Sequence, residues 1–209
     1  MNKKFSCRGM AFLFGISLFL LALPVVAGVP TEQTRATADK VLSILNNPEL
    51  RLAAQKNERR EQLRAVIYPR FDFAEMAKRS LGPQWSRRSA QEQREFVRLF
   101  TVVLENFYVN KIESYSGEKI TYTRENQDKD HAEVFTKVVT KKGEEFSVNY
   151  NLHAVDGEWK VYDVVIENIS LVNNYRSQFN RILAKASFDE LLRKLQEKAP
   201  DINGVGSKG

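Results

Sequence analysis

Cysteine is nearly absent from this 209-residue chain; Cys7 is the one example. Histidine is almost as scarce, occurring only at His131 and His153. These shortages exclude a good deal of chemistry. Beyond residue 7 there is no thiol nucleophile and no disulfide. A metal site needs two or more His, Cys or carboxylate ligands at tight spacing, and no such spacing occurs. Nucleophile-elbow, P-loop and dinucleotide-binding motifs are missing too. Long hydrophobic runs are limited to one, Met10 to Leu23. It is shorter than the roughly 20 residues a membrane span needs. Lys3, Lys4 and Arg8 precede it, and Val25-Val26-Ala27 follows Pro24. That is the pattern of a secretory signal peptide over residues 1–27, cleaved before Gly28. Cys7 lies ahead of the apolar run, whereas a lipid-anchored cysteine sits at the cleavage point.

A mature chain over 28–200 is long enough to bury a core without disulfide staples, as one domain. The residues from 201 to 209 are rich in glycine and read as a flexible tail. Losing residues 1–27 removes three basic side chains from 32 and none of the 26 acidic ones, so +6 falls to +3. No basic run is interleaved with aromatics, so nucleic acid is not an expected partner.

In chain order, helices come first. Thr31 to Asn47 carries Thr34, Ala38, Val41, Leu42 and Leu45 on one side, and Asn46-Asn47-Pro48 ends it. Glu49 to Ile67 reads as a second helix, whose KNERREQLR charges fit a solvated face. Asp72-x-x-Glu75 and Ser89-x-x-Glu92 are capping boxes. The first opens a helix stopped by Gly82-Pro83. The second opens the longest helix, to about Ser114, with Phe96, Leu99, Phe100, Val103, Leu104, Phe107, Tyr108 and Ile112 along one stripe. From Gly117 the apolar period becomes two. Lys119–Arg124, His131–Thr140 and Glu144–Ala154 read as three strands, and Asp156-Gly157 turns into a fourth that opens at Trp159. A last short helix spans Phe188–Lys198.

The stretch Trp159 to Leu183 organises the rest. Its Trp159–Ile166 half reads as a buried strand. Leu171, Tyr175, Phe179 and Ile182 then mark an amphipathic helix, capped by Ser170 or Asn168. The fold class is α+β: a curved four-stranded antiparallel sheet wrapped by helices, nuclear-transport-factor-like or cystatin-like, with a hydrophobic cavity.

Asp163 is the best candidate for acid–base work, because it interrupts an apolar strand. The plainer reading pairs it with a basic residue or a helix end. Tyr175-Arg176 offers a phosphate two kinds of donor at a pocket mouth, or else divides into core and surface. His153 shares the polar parity of Ser147, Asn149 and Asn151 and reads as solvent-facing.

The segments FDFAEMAKRSLGPQW (71–85), the Phe96–Tyr108 helix and WKVYDVVIENISLVNNYRSQFNRIL (159–183) resemble the MlaC family of toluene-tolerance auxiliary proteins. The resemblance runs along the whole mature chain. It implies a periplasmic phospholipid-binding protein, not an enzyme, with phospholipid as cargo and no cofactor or metal. It also implies two protein partners: an outer-membrane lipoprotein complex and the MCE-domain subunit of an inner-membrane ABC transporter. The alternative is a cavity enzyme acting through Asp163 on an apolar substrate.

No short motif fixes lipid contacts, so the expected pocket follows from strand parity and helix stripes. Phe146, Val148, Tyr150 and Leu152 face one side of the third strand, with Val165 beside them. Phe96, Phe100, Val103, Leu104 and Phe107 are set to oppose them. Leu171, Tyr175 and Phe179 close the third side. Failing that, the cavity lies between the two N-terminal helices and the sheet.

Overall fold

The computed structural model describes residues 30–115 and 117–199; the expected signal peptide and the 201–209 tail lie outside the described residues. The first helix, α1, spans Pro30–Asn46. Short 3₁₀ turns at Glu49–Arg51 and Ala53–Gln55 lead into α2, Lys56–Ile67. The continuous helix expected from Glu49 is therefore broken, because Leu52 adopts an extended conformation at φ −62°, ψ 140°. Another 3₁₀ turn, Tyr68–Arg70, precedes α3, Phe73–Leu81. Then come a 3₁₀ segment, Gly82–Arg87, and α4, Ala90–Glu113.

Five strands follow: β1 Lys119–Asp128, β2 His131–Val139, β3 Glu145–Val155, β4 Glu158–Ile166 and β5 Ile169–Ser170. They form one antiparallel sheet in sequence order. The fifth strand is one more than expected. Glu167 and Asn168, both at positive φ (47° and 63°), fold the chain back so that Ile169 and Ser170 pair with Ile166 and Val165. Asp156 and Gly157 (φ 51° and 83°) make the turn between β3 and β4, as the positive-φ demand of a two-residue hairpin requires. Helices α5, Leu171–Leu183, and α6, Phe188–Lys198, complete the fold.

The caps form where the sequence encodes them, except that the box expected at Asp72 is only half made: the Asp72 amide goes to the Val161 carbonyl and the Glu75 carboxylate to Lys78 and Arg79. Asp72 accepts from the Glu75 amide, and Ser89 with Glu92 forms a reciprocal box. Ser170, rather than Asn168, caps α5 through the Asn173 amide. Each cap satisfies amides that a helix start leaves without partners.

Two cores result. One is built from helices alone: Met76, Ala77 and Leu81 of α3, Phe96, Phe100 and Val103 of α4, Val172, Tyr175 and Phe179 of α5, and Phe188, Leu191 and Leu195 of α6. Its rings meet edge to face, with Phe100 and Tyr175 centroids 5.0 Å apart and Phe96 and Phe179 5.5 Å apart. The other lies on one face of the sheet: Ala132, Val134, Leu152, Trp159, Val161 and Val164, with Leu171. Phe71 and Tyr108 touch both. The Asp72 amide donates to the Val161 carbonyl at 2.9 Å. Arg70 donates to the Trp159 carbonyl at 2.6 Å. Together they fix the start of α3 to β4.

Candidate functional site

The face of the sheet that bears the second core continues into an open apolar cavity of about 390 Å³, within the usual range for ligand pockets. Its floor is Ile120 of β1, Val138 of β2, Phe146 and Tyr150 of β3 and Val161 of β4. These positions share a parity and pair across the strands: Ile120 with Val138, Val138 with Phe146. The roof is α1, through Thr34, Thr37, Ala38, Val41, Leu42 and Leu45. Ile67, Phe71 and the C-terminal end of α4 (Lys111, Ile112, Ser114) close the sides with Tyr115.

Two clamps hold this wall. Arg70 donates to Thr37 Oγ1 at 3.2 Å and Gln33 Oε1 at 2.6 Å, tying α1 to the strand below. On α2, Arg59 and Arg60 each reach Glu113 of α4 at 2.8 Å, on separate carboxylate oxygens. Arg64 and the Tyr68 hydroxyl bind Glu105 at 2.5 and 2.6 Å. The basic face of α2 is thus an interhelical surface, not the solvated one expected. Desolvation acts to raise the Glu113 carboxyl, but hydrogen bonds from Arg60 and Arg59 outweigh it and hold the carboxyl below its ordinary value.

Among the thirteen residues expected at the pocket, Phe146 and Tyr150 line the cavity. Leu152 and Leu171 are buried in the sheet core, with Val148 packed against it. Val165 has the opposite parity and pairs with Asn149 and Ser170. Phe96, Phe100, Val103, Leu104, Tyr175 and Phe179 fill the helical core, because α3, α5 and α6 offer their own apolar faces to the α4 stripe. Phe107 is 56% exposed, on the outer side of α4. The α1 residues form an apolar stripe visible in the sequence, but nothing there says that α1 covers the sheet. Among the expected positions, Tyr150 is the polar group on the cavity wall. Burial pushes its phenol up to about 12, and its hydroxyl makes no hydrogen bond with the described residues.

Asp163 lies on the other side of the sheet. One oxygen accepts from Ser170 Oγ at 2.5 Å and the other from the Val172 amide at 3.0 Å. It therefore anchors the start of α5, a helix end rather than a basic side chain. His153 is not simply solvent-facing: its Nε2 lies 3.0 Å from Asp72 Oδ2, at the cap of α3. Tyr175 and Arg176 divide, the first into the helical core and the second towards a polar groove. Among the described residues, no three His, Cys, Asp or Glu side chains form a metal cluster, and no helix is long and apolar enough to cross a membrane.

An open antiparallel sheet with a helix-roofed, mostly apolar cavity, whose lining also carries Arg70, Lys111, Tyr115 and Glu118, defines an α+β fold built around a pocket. The chain belongs to the MlaC family, whose profile, described as "MlaC protein", matches residues 35–197. A toluene tolerance protein of Pseudomonas putida is 28% identical over 170 residues, covering 79% of each chain. An intermembrane phospholipid transport system binding protein of Haemophilus influenzae, itself named MlaC, is 24% identical over 192 residues, covering 89% of this chain and 90% of its own. In fold, the chain is similar to a phospholipid-binding protein of Ralstonia solanacearum, solved in complex with a phospholipid. The TM-score is 0.72 at 24% identity, covering 80% of this chain and 95% of that one.

Proposed function

We propose that this protein is a periplasmic phospholipid carrier that moves lipid between the outer and inner membranes, with no catalytic step. The observation that carries the reading is the apolar cavity between α1 and the sheet, in a chain of this family. Enclosing acyl chains is worth about 0.8 kcal/mol per CH₂ relative to water. A membrane offers the same stabilisation, so exchange between bilayer and cavity is near neutral and reversible. A wall of aliphatics and rings discriminates weakly among head groups. The relatives described as phospholipid-binding and transport proteins support the cargo. The partners that fit are an outer-membrane lipoprotein complex and the MCE-domain subunit of an ABC transporter.

The first test is extraction and mass spectrometry of protein purified without detergent. Phospholipid should be present in the wild type. Leu42→Trp, which projects a larger ring from the roof, should fold and carry several-fold less. Full lipid loading of a folded Leu42→Trp variant would place the cargo elsewhere. Export predicts a mature N-terminus at Gly28, and N-terminal sequencing that found Lys3 and Lys4 retained would contradict it.

A further inference from the structure

The sheet has a second concavity on the opposite side from the apolar one. Asn151 follows Tyr150 on β3, so its side chain leaves the other face. There α3, β4 and α5 enclose a polar groove of about 440 Å³. Lys78, Arg79 and Arg176 line it, together with Asn151, Asn173 and Tyr162.

The charges in this groove do not cancel internally. Asp163 is the carboxylate on its wall, and both its oxygens are engaged at the start of α5. Glu75 is shared between Lys78 at 3.1 Å and Arg79 at 2.9 Å. Arg176 has no hydrogen bond or ion pair with any described residue. The same holds for the amides of Asn151 and Asn173 and the hydroxyl of Tyr162. Elsewhere the half-buried Arg59, Arg60, Arg64 and Arg70 all find carboxylates, amide oxygens or carbonyls, while Arg87, Arg94 and Arg181, which also lack such bonds, are exposed to water. The groove gathers donors that lack acceptors.

Arg176 is also held in position. Its guanidinium lies against Gly82, where an added Cβ would stand 2.5 Å from Nη2, 2.7 Å from Nε and 2.9 Å from Cζ. Gly82 has φ 54° and ψ −129°, a conformation open to glycine and strained for other residues. A side chain at 82 would displace the guanidinium; glycine lets it rest on the backbone. Arg79 is fixed in its turn, stacked 4.0 Å over the Tyr162 ring. A guanidinium fork fixed in the plane suits bidentate binding of an oxyanion. A phosphate group, with at least two free acceptor oxygens and at least one negative charge, suits several donors and an excess cation at once.

We propose that this groove is an anion site for phosphate esters, separate from the acyl-chain cavity. Its ligand is the phosphate of a phospholipid head group at a membrane surface or of a soluble phosphate ester. The test titrates isotope-labelled mature protein with glycerol 3-phosphate and follows backbone amide signals. In parallel, co-sedimentation is measured with vesicles of phosphatidylglycerol and of phosphatidylcholine. Each arm compares the wild type with Arg176→Gln, Arg176→Lys and Asn173→Asp. Asn173 is exposed in the first turn of α5, where an added carboxylate favours the helix while placing negative charge in the groove.

Saturable shifts at Asn151, Asn173 and Arg176 are expected with glycerol 3-phosphate, weakened about tenfold or more in Arg176→Gln. Arg176→Lys should fall between, because it keeps charge and loses the fork. Asn173→Asp should weaken binding without loss of thermal stability, so a misfolded Arg176→Gln would not blunt the test. Arg176-dependent binding of the soluble ester assigns a soluble ligand. Arg176-dependent binding to phosphatidylglycerol vesicles alone assigns a head group. The site is overturned if neither probe binds, or if binding is unchanged in both Arg176→Gln and Asn173→Asp, since that is diffuse charge.

Discussion

Tyr150 carries a hydroxyl from the sheet into a mostly apolar cavity, and no described residue accepts from it. The residue is half-buried and its hydroxyl faces an open cavity that water can enter, so the missing protein partner does not carry the full penalty of about 1–3 kcal/mol for a buried unsatisfied group. Burial pushes its phenol up to about 12, so it remains a neutral donor at ordinary pH. Tyr150→Phe removes the unpaired group while keeping the ring. In delipidated protein this variant should lose no stability in urea unfolding, since no protein hydrogen bond is removed. A less stable variant would show that the hydroxyl already has a partner in the empty protein. Asp163 behaves oppositely. Its two acceptors hold the Ser170 hydroxyl and the Val172 amide. Asp163→Asn should lower stability by about 1–3 kcal/mol while lipid persists in the folded fraction. Loss of lipid from a stable Asp163→Asn protein would contradict the purely structural role. That role was legible beforehand as one of two readings, since a lone carboxylate in an apolar strand must bind something. Its partner was not legible, because the turn at Glu167-Asn168 brings Ser170 back to it.

At the scale of elements, α2 is held to α4 by guanidinium–carboxylate pairs, with Leu63 as its one buried residue. Glu113 serves two arginines with only 8% of its side chain exposed. Glu113→Gln leaves both cations under-paired at a partly buried site, which should cost about 1–3 kcal/mol. Urea unfolding of Glu113→Gln should show that loss, and an unchanged midpoint would mean the clamp is idle. The pH dependence has a definite sign. Because the folded carboxyl is held below its ordinary value of 4.5, its contribution is present above that pH. It is lost as pH falls through the depressed value. Wild-type stability should therefore fall on acidification through this window, with the Glu113→Gln protein falling less. Element boundaries were legible where local chemistry fixes them, as at the Ser89–Glu92 box and the Asp156-Gly157 turn. The α2 clamp was not, because charges that meet a distant helix look like charges that meet water.

Across the whole molecule, packing and cavity are divided between two places. The aromatic stripe of α4 is the longest apolar helix stripe among the described residues, and parity alone would set it against the sheet. Its Phe96–Leu104 part packs instead with α3, α5 and α6, while Phe107 is exposed and Ile112 reaches the cavity. The cavity is left to the weaker stripe of α1, whose Thr34, Ala38 and Val41 are too small to fill the space above Phe146 and Tyr150. A sequence shows how apolar a face is but not which partner takes it, so the fold class was readable and the pocket only in part. This division makes stability and lipid content separable. Phe100 is fully buried among Phe96, Tyr175 and Phe179. Truncating it to alanine should cost about 3–5 kcal/mol yet leave lipid per folded molecule near the wild-type value. Leu42→Trp should do the reverse, keeping the melting transition and losing lipid. Both are measured on the same preparations, by thermal melts and by mass spectrometry of extracted lipid. If Phe100→Ala emptied the folded protein of lipid, the helical core would belong to the lipid site after all, and the two cores would act as one.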